Sequence, residues 1–529
     1  MFAVSRVLYS IDDRTRRWLL LTLLLAGAFL RLYQLDQYPL GVHQDELSNI
    51  YDGWSIATTG ADRFGDTYPG VVRAFGERDY RPALYAWLAA ATQKFTGFSI
   101  VAGRLPAAIL GIASLWLIYA FAREMAGERY ALLALLLAAL SPLHIQFSRI
   151  AHEGGSLTGF FMILVLYLWQ RSARKTFTIS TVAAIGLALG ISTNVYQSTR
   201  LTAALLTIAV GIDIIRHTTH RIKPLAALAL CALIGALPQV IFLVTQPARF
   251  AGRAKVLSVT ADNPVSYVAT VVHNFVMNLA PHYLFVPPFL RGLTVARLIP
   301  TEAPFFYVGL VALAFIAVSR GSRARAYIYT ATFVAILPAA ITTDNPSTMR
   351  TSAIAVLAPL FSASGIVFIG DFLARKVKSA QWYYPAVAGA LVLASGAVIY
   401  RYTRSEYFRE LSFQEIGVRM GKALGRDSRQ YDAVIVGPHV SQAYLYIAAF
   451  GGITPTEFHR LPKRLYSVGM DRYTQMGKYH FVTESMLPRS IAALRGHGRI
   501  LFVVPEKVPQ LTVADSVSFR DDKLYFQTY

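Results

Sequence analysis

Cysteine is almost missing. Cys231 is the single one in 529 residues and lies in an apolar run, which excludes a disulfide framework and a thiolate metal site. Charged residues are scarce too, at 15%, and one sign dominates, with 30 Asp and Glu against 51 Lys and Arg. In a soluble chain a formal charge of +21 would suggest nucleic acid. The 54% of hydrophobic residues excludes an ordinary soluble composition and gives the charge another cause. There is no P-loop, no G-x-G-x-x-G run after a strand and no internal repeat, so nucleotide-binding loops and solenoids are excluded as well. His43, His144 and His152 have no i, i+4 partner for a helical zinc pair. No residue is therefore assigned to a metal, and a divalent ion is left open.

What the sequence does contain is long apolar runs. They fall near 17–35, 101–122, 129–143, 156–171, 177–193, 201–215, 224–245, 303–319, 326–342, 351–373 and 381–400, about eleven membrane spans. The first has a core the size of a signal peptide but no small-residue cleavage site, and is expected to be a retained anchor. Lys and Arg cluster in 6–17, 123–129, 171–175, 216–223, 320–325 and 375–378, about 18 in all, whereas the three short loops on the other side hold one Arg each. Because positive residues resist translocation, this puts the N-terminus inside and explains much of the basic excess. A nucleic-acid partner is not expected. An odd number of spans leaves the C-terminus outside, in an inner or plasma membrane.

Two outside connections are long, 36–100 and 246–300. The first includes an aromatic stretch from Tyr80 to Phe95 that reads as an interfacial helix. The second is broken by prolines, Pro287 and Pro288 among them. From about 402 hydropathy drops, and 431–439, 478–484, 499–507 and 522–529 read as strands, with helices near 412–425 and 488–496. The expected architecture is a mainly α polytopic body, 1–401, followed by an α/β extracytoplasmic domain, 402–529.

The outside face gathers the polar residues that carry chemistry. HQDELSNIYDGW (43–54) follows the first span and sets Asp45 beside Glu46; a carboxylate there can take the proton of an attacking hydroxyl, or can simply be a first-turn acid of a helix. Arg81 precedes a proline at the head of the expected interfacial helix, placed for a lipid phosphate or for an ion pair with Glu77 or Asp79. The short loops 141–155, 192–200 and 342–350 carry Arg149, Arg200 and Arg350 against the charge rule. A shared anion would account for all three, since guanidinium forms paired bonds to phosphate oxygens. Pairing with Glu153 or Asp344, or with lipid head groups, would account for each separately.

These residues carry a family likeness over roughly 30–400, densest in 30–200. The chain resembles the GT-C glycosyltransferases, and within them the branch of protein O-mannosyltransferases and the lipid A aminoarabinose transferase. Their first external loop carries an Asp-Glu motif, matched by Asp45 and Glu46. RPALY matches a K/H-P-P-L-like element loosely, with Arg81 and Ala83 in place of the usual residues. An S-R-x-A element followed by an acid is met by Ser148, Arg149, Ala151 and Glu153, though some members have Asp where this chain has Gly154. YQSTR ends on Arg200, and NPSTMR ends on Arg350 with Ser347 where His is frequent.

The resemblance implies a sugar donor linked to polyprenyl phosphate, inversion at the anomeric carbon, and Asp45 as general base. Arg200 and Arg350, with Arg149 or Arg81, would stabilise charge on the departing phosphate, and Glu153 would be a second acid. The acceptor hydroxyl would belong to a glycolipid, an envelope glycan or a protein. The rival expectation is a transporter or lipid-linked-sugar flippase. Such a protein concentrates polar groups at mid-span, and here Asp213 is the clearest acid within a run.

Overall fold

The computed structural model describes residues 12–529 apart from 77–78, 176, 287–296, 321–322, 378–381, 404–414, 469, 495–497 and 520–521. Residues 6–11 of the first basic segment, Glu77, Pro287, Pro288 and Lys378 therefore lie outside the described residues.

Helices form at every apolar run that the sequence marks, but most are not spans by length and composition. Four qualify among the described residues: Ile100–Ala126, Gln197–His217, Ile354–Lys376 and Tyr383–Tyr400. A fifth arises if Ile222–Gly235 and Leu237–Thr245, bent by 67°, count as one. This corrects the expected eleven. The Glu128–Leu140 and Ile179–Ser192 helices have 13 and 14 residues, about 20 Å at 1.5 Å per residue against about 30 Å of hydrocarbon. Asp13–Leu32 is long enough but includes Asp13, Arg14, Arg16, Arg17 and Arg31. Its apolar side chains Trp18, Leu25 and Phe29 nevertheless face outward, as do Ile208, Leu230 and Leu233 of later helices. So much exposed apolar surface marks a membrane protein.

The chain divides into two compact units whose limits differ from the expected 1–401 and 402–529. One comprises 1–33, 107–240 and 257–404; the other comprises 34–106, 241–256 and 405–529.

The first unit is helical, with a core running from Leu115 through Leu166, Leu206 and Ile336 to Ile366. Small residues let its backbones approach. A Cβ on Gly309 would lie 1.8 Å from the Phe361 carbonyl oxygen, and one on Gly365 would lie 1.9 Å from that of Phe305. The Ala303–Arg320 and Ile354–Lys376 helices therefore meet at a glycine pair, as apolar helices do where lipid offers no hydrophobic gain from association.

The second unit joins residues 34–106 to the C-terminal sheet. Strands β1 (Val71–Arg73) and β2 (Tyr80–Pro82) form an antiparallel ribbon with Val72 opposite Arg81. The seven-stranded sheet runs β4 (Lys463–Val468), β5 (Met470–Met476), β6 (Tyr479–Phe481), β3 (Ala433–Val436), β7 (Ile500–Val504), β9 (Asp522–Thr528), β8 (Thr512–Phe519). The β3 strand pairs in parallel with β6 and β7, and the outer pairings are antiparallel. Ile435, Ile500, Phe502 and Val504 fill its core with Ile491 and Leu511.

Candidate active site

In the second unit the site is built on the Gln44–Thr59 helix. Its first turn holds Asp45 and Glu46, where carboxylates meet the positive end of the helix dipole. His43 is the N-cap: its Nδ1 accepts the Asp45 N–H at 3.2 Å and lies 3.4 Å from Asp45 Oδ2. Three carboxylates project from this helix, and their surroundings differ. Glu46 is buried and gripped by Arg104, Nε to Oε1 at 2.7 Å and a terminal nitrogen to Oε2 at 3.1 Å. Arg104 spends its other donors on the carbonyls of Leu35, Pro39 and Gly41, at 2.9, 3.2 and 2.9 Å. Asp52 is buried too. It accepts the Arg63 amide at 3.2 Å and pairs with the Arg63 guanidinium, with Arg81 at 3.5 Å. Asp45 alone of the three keeps a third of its side chain exposed, at 34%.

Arg81 does not head the interfacial helix. It sits on β2, and the helix begins two residues beyond Pro82, at Leu84–Thr96. Its guanidinium is buried against the acid-bearing helix, donating to Ser48 Oγ and, at 3.3 Å, to the Asp45 carbonyl. Of its two expected carboxylate partners, Glu77 lies outside the described residues; Asp52, buried on the same helix as Asp45, is 3.5 Å from the guanidinium.

The C-terminal part of this unit braces the same helix. Tyr446 donates its hydroxyl to the Val42 carbonyl at 2.6 Å, Ser441 donates to Gln44 Oε1 at 2.7 Å, and Tyr51 donates to the Ile453 carbonyl at 3.1 Å. Arg63 Nε donates to the Tyr444 hydroxyl at 3.3 Å, and His459 Nε2 lies 2.8 Å from the Asp62 carbonyl. Asp62 is buried; one carboxylate oxygen accepts the amides of Phe64 and Asp66 at 2.9 and 3.1 Å, and the other has no hydrogen-bond partner among the described residues. Burial, reinforced by Asp52, pushes its carboxyl up to about 7.

The first unit carries the remaining candidates. Arg149 caps the Asp13–Leu32 helix, donating to the carbonyls of Leu30 at 2.8 Å and Tyr33 at 2.7 Å. Arg31 binds the carbonyls of Gly27, Ala138 and Ala139 and lies 2.8 Å from His144 Nδ1, so that ring nitrogen is the acceptor. Burial, with Arg31 beside it, holds His144 well below the usual histidine range. Glu153 is buried in the loop before the Ser156–Arg174 helix, 3.7 Å from His152 Nδ1, and the His152 ring meets Tyr196 edge-on at 6.1 Å. Arg200 stands in the first turn of Gln197–His217. Arg350 is mostly buried and pairs with Asp344 at 2.7 Å, also donating to its carbonyl at 2.9 Å.

Several residues escaped the sequence reading. Arg297 stacks over the Tyr283 ring at 3.8 Å and donates to Thr348 Oγ1 at 2.8 Å, inside the loop that ends on Arg350. Arg104, Asp52 and Arg63 were also missed, and His43 was weighed only as a metal ligand, not as the cap of the acid-bearing helix. For Arg104 a signal existed, because an arginine inside an apolar run needs a buried anion. Among the described residues no group of three His, Cys, Asp or Glu side chains is arranged to hold a metal. Asp213 is met by Trp169 Nε1 at 2.8 Å, the Tyr327 hydroxyl at 2.5 Å and His217 at 2.8 Å.

Known proteins resemble this chain in part of its sequence and in its fold. The family model of dolichyl-phosphate-mannose-protein mannosyltransferases matches residues 80–242, under half of the chain. That stretch includes Arg81, Arg149, Glu153 and Arg200 but not Asp45 or Arg350. ArnT from Cupriavidus metallidurans, solved bound to undecaprenyl phosphate, superposes with a TM-score of 0.54 at 12% identity, covering 98% of each chain. Its apo state gives 0.53 at 12% identity, covering 97% of this chain and 98% of that one. The oligosaccharyltransferase AglB from Archaeoglobus fulgidus, in complex with an inhibitory peptide and a dolichol-phosphate, gives 0.51 at 12% identity over 84% of this chain. The chain spans about 64% of that archaeal protein. At such identity the likeness is one of fold. No curated protein matches the sequence. The chain thus resembles the GT-C glycosyltransferases in fold, and their mannosyltransferase branch in the sequence of residues 80–242.

Proposed function

We propose that this chain is a membrane glycosyltransferase that moves a sugar from a polyprenyl-phosphate donor to a hydroxyl acceptor on the extracytoplasmic face, inverting the anomeric centre. The observation that carries the reading is the contrast among three carboxylates of one helix: Glu46 and Asp52 are buried on arginines, and Asp45 stays accessible. In the reaction the acceptor oxygen attacks the anomeric carbon while its proton passes to Asp45. The bond from that carbon to the phosphate oxygen breaks, and its electron pair leaves with the lipid phosphate. Arg200 and Arg350 stabilise the charge gathered there, a contribution of about 3 kcal/mol for a well-placed donor. Glu46 and Arg81 position the helix; Arg149 and Glu153 act on loop structure. ArnT and AglB were solved with undecaprenyl phosphate and a dolichol-phosphate, which supports this class of donor. The bonding of Asp213 to Trp169, Tyr327 and His217 supports a structural role for the acid within a span, which weighs against the transporter alternative.

Native mass spectrometry of the gently purified protein tests the donor. A polyprenyl phosphate or its glycosylated form is expected on the wild type and lost from an Arg200→Ala/Arg350→Ala variant. Repeated absence from the wild type would overturn the donor assignment.

A further inference from the structure

The second unit carries a groove that the transfer reaction does not use. It has a volume of about 730 Å³, within the roughly 300–1,000 Å³ typical of small-molecule sites. One wall is the Glu415–Asp427 helix, whose Arg419, Lys422 and Arg426 follow one another at i, i+3 and i+7 and so share a face. The opposite wall is the exposed outer strand β8, which presents Ser516 and Ser518. Phe450, at the end of the Ala443–Phe450 helix, closes one side.

Its parts are held in place. Phe450 packs edge-on against Phe98 at 5.7 Å and stacks on Tyr446 at 6.5 Å, and Tyr446 is the residue that anchors Val42. Where the two helices meet beneath, a Cβ on Gly425 would come 2.9 Å from Gly451 Cα, so the floor is bare backbone. Arg419 is fixed by Glu415 at 3.0 Å and by the Ser518 carbonyl at 3.1 Å. Glu415 thereby offsets one cation of the three. Lys422 sits 5.9 Å from the Phe450 ring centre, and Arg426 is exposed to solvent. No carboxylate lines the groove among the described residues.

We infer that this groove binds an anionic saccharide, a sugar bearing phosphate or carboxylate. Cations take the acid group, Ser516 and Ser518 reach sugar hydroxyls, and the Phe450 ring offers an apolar face to a pyranose. A plain phosphate would need neither the hydroxyls nor the ring. That the saccharide is part of the acceptor rests on the transferase reading; that it binds does not.

The test uses the full-length protein in phosphatidylcholine nanodiscs, titrated with oligogalacturonate, neutral maltohexaose, inorganic phosphate and phosphatidylglycerol vesicles. Oligogalacturonate is expected to bind in a salt-sensitive manner and maltohexaose is not. A Lys422→Glu/Arg426→Glu variant should bind it about tenfold more weakly, or worse, as two reversed charges on a small ligand require. Both positions are exposed, so folding should be unaffected, and retention of polyprenyl phosphate by the variant serves as the independent control. Failure of oligogalacturonate to bind, or affinity within about twofold in the variant, overturns the proposal. Binding of phosphate or of the vesicles alone overturns it in favour of a plain anion or a lipid head group. Loss of prenyl lipid from wild type with saccharide binding intact would strike the donor reading alone.

Discussion

The acid-bearing helix of the second unit and the arginine-bearing loops of the first handle charge in opposite ways. On Gln44–Thr59 two carboxylates are buried under arginines drawn from distant segments, and one is left within reach of solvent. In the first unit Arg149 binds carbonyls at a helix end, and Arg350 meets Asp344 through a single guanidinium nitrogen. The lesson is that residue type and motif position do not separate working charges from structural ones. For the carboxylates what separates them is burial, since Glu46 and Asp52 are closed off from solvent and Asp45 is not.

That comparison can be broken experimentally. The largest effect is expected at Asp45: Asp45→Asn should lower transfer by about 10²–10⁴-fold, the usual range for a general base, with an unchanged melting profile. Near wild-type turnover would sink the base assignment. Glu46→Gln should do the reverse, costing about 3–5 kcal/mol of stability by stranding the buried Arg104 charge; thermal unfolding reads this, and an Arg104→Met/Glu46→Leu double variant should recover much of it. Arg149→Ala should lose about 1–3 kcal/mol, the worth of hydrogen bonds from a charged group. It should leave prenyl-phosphate retention intact, and a selective loss of lipid would move Arg149 back among the donor contacts.

The last test concerns Asp62, whose carboxyl burial lifts from 3.8 to about 7. The folded protein then holds a proton that the unfolded chain releases. The resulting stability is full below about 3.8, declines as pH rises, and is gone above about 7. Asp62→Asn should flatten this part of the melting-temperature profile while keeping the oxygen that accepts the Phe64 and Asp66 amides. An unchanged slope would show that Asp62 does not titrate in that window.

The sequence reveals the helical body because apolar runs mark helices directly, and a helix lies at each expected place. Their lengths were over-read as spans: the run 129–143 becomes the Glu128–Leu140 helix, which ends where Ser141 caps the next short helix at Pro142. In the sheet β3, β6, β7 and β9 were readable from their apolar content. The β8 strand was not, since its residues are mostly exposed and carry no buried alternation. Two short helices, Ala443–Phe450 and Pro455–Arg460, were also missed. Asp45 and Glu46 were legible as a pair, but their separate fates were not, because Glu46 is decided by an arginine 58 residues away.

Tyr446 bonded to Val42, and Ser441 bonded to Gln44, tie together stretches about 400 positions apart. A hybrid enzyme joined at 401 would therefore pair one parent's acid helix with the other parent's supports. The exchangeable part is 34–106 together with the C-terminal region, and relatives that drift in one stretch must drift in the other to keep Asp45 aimed.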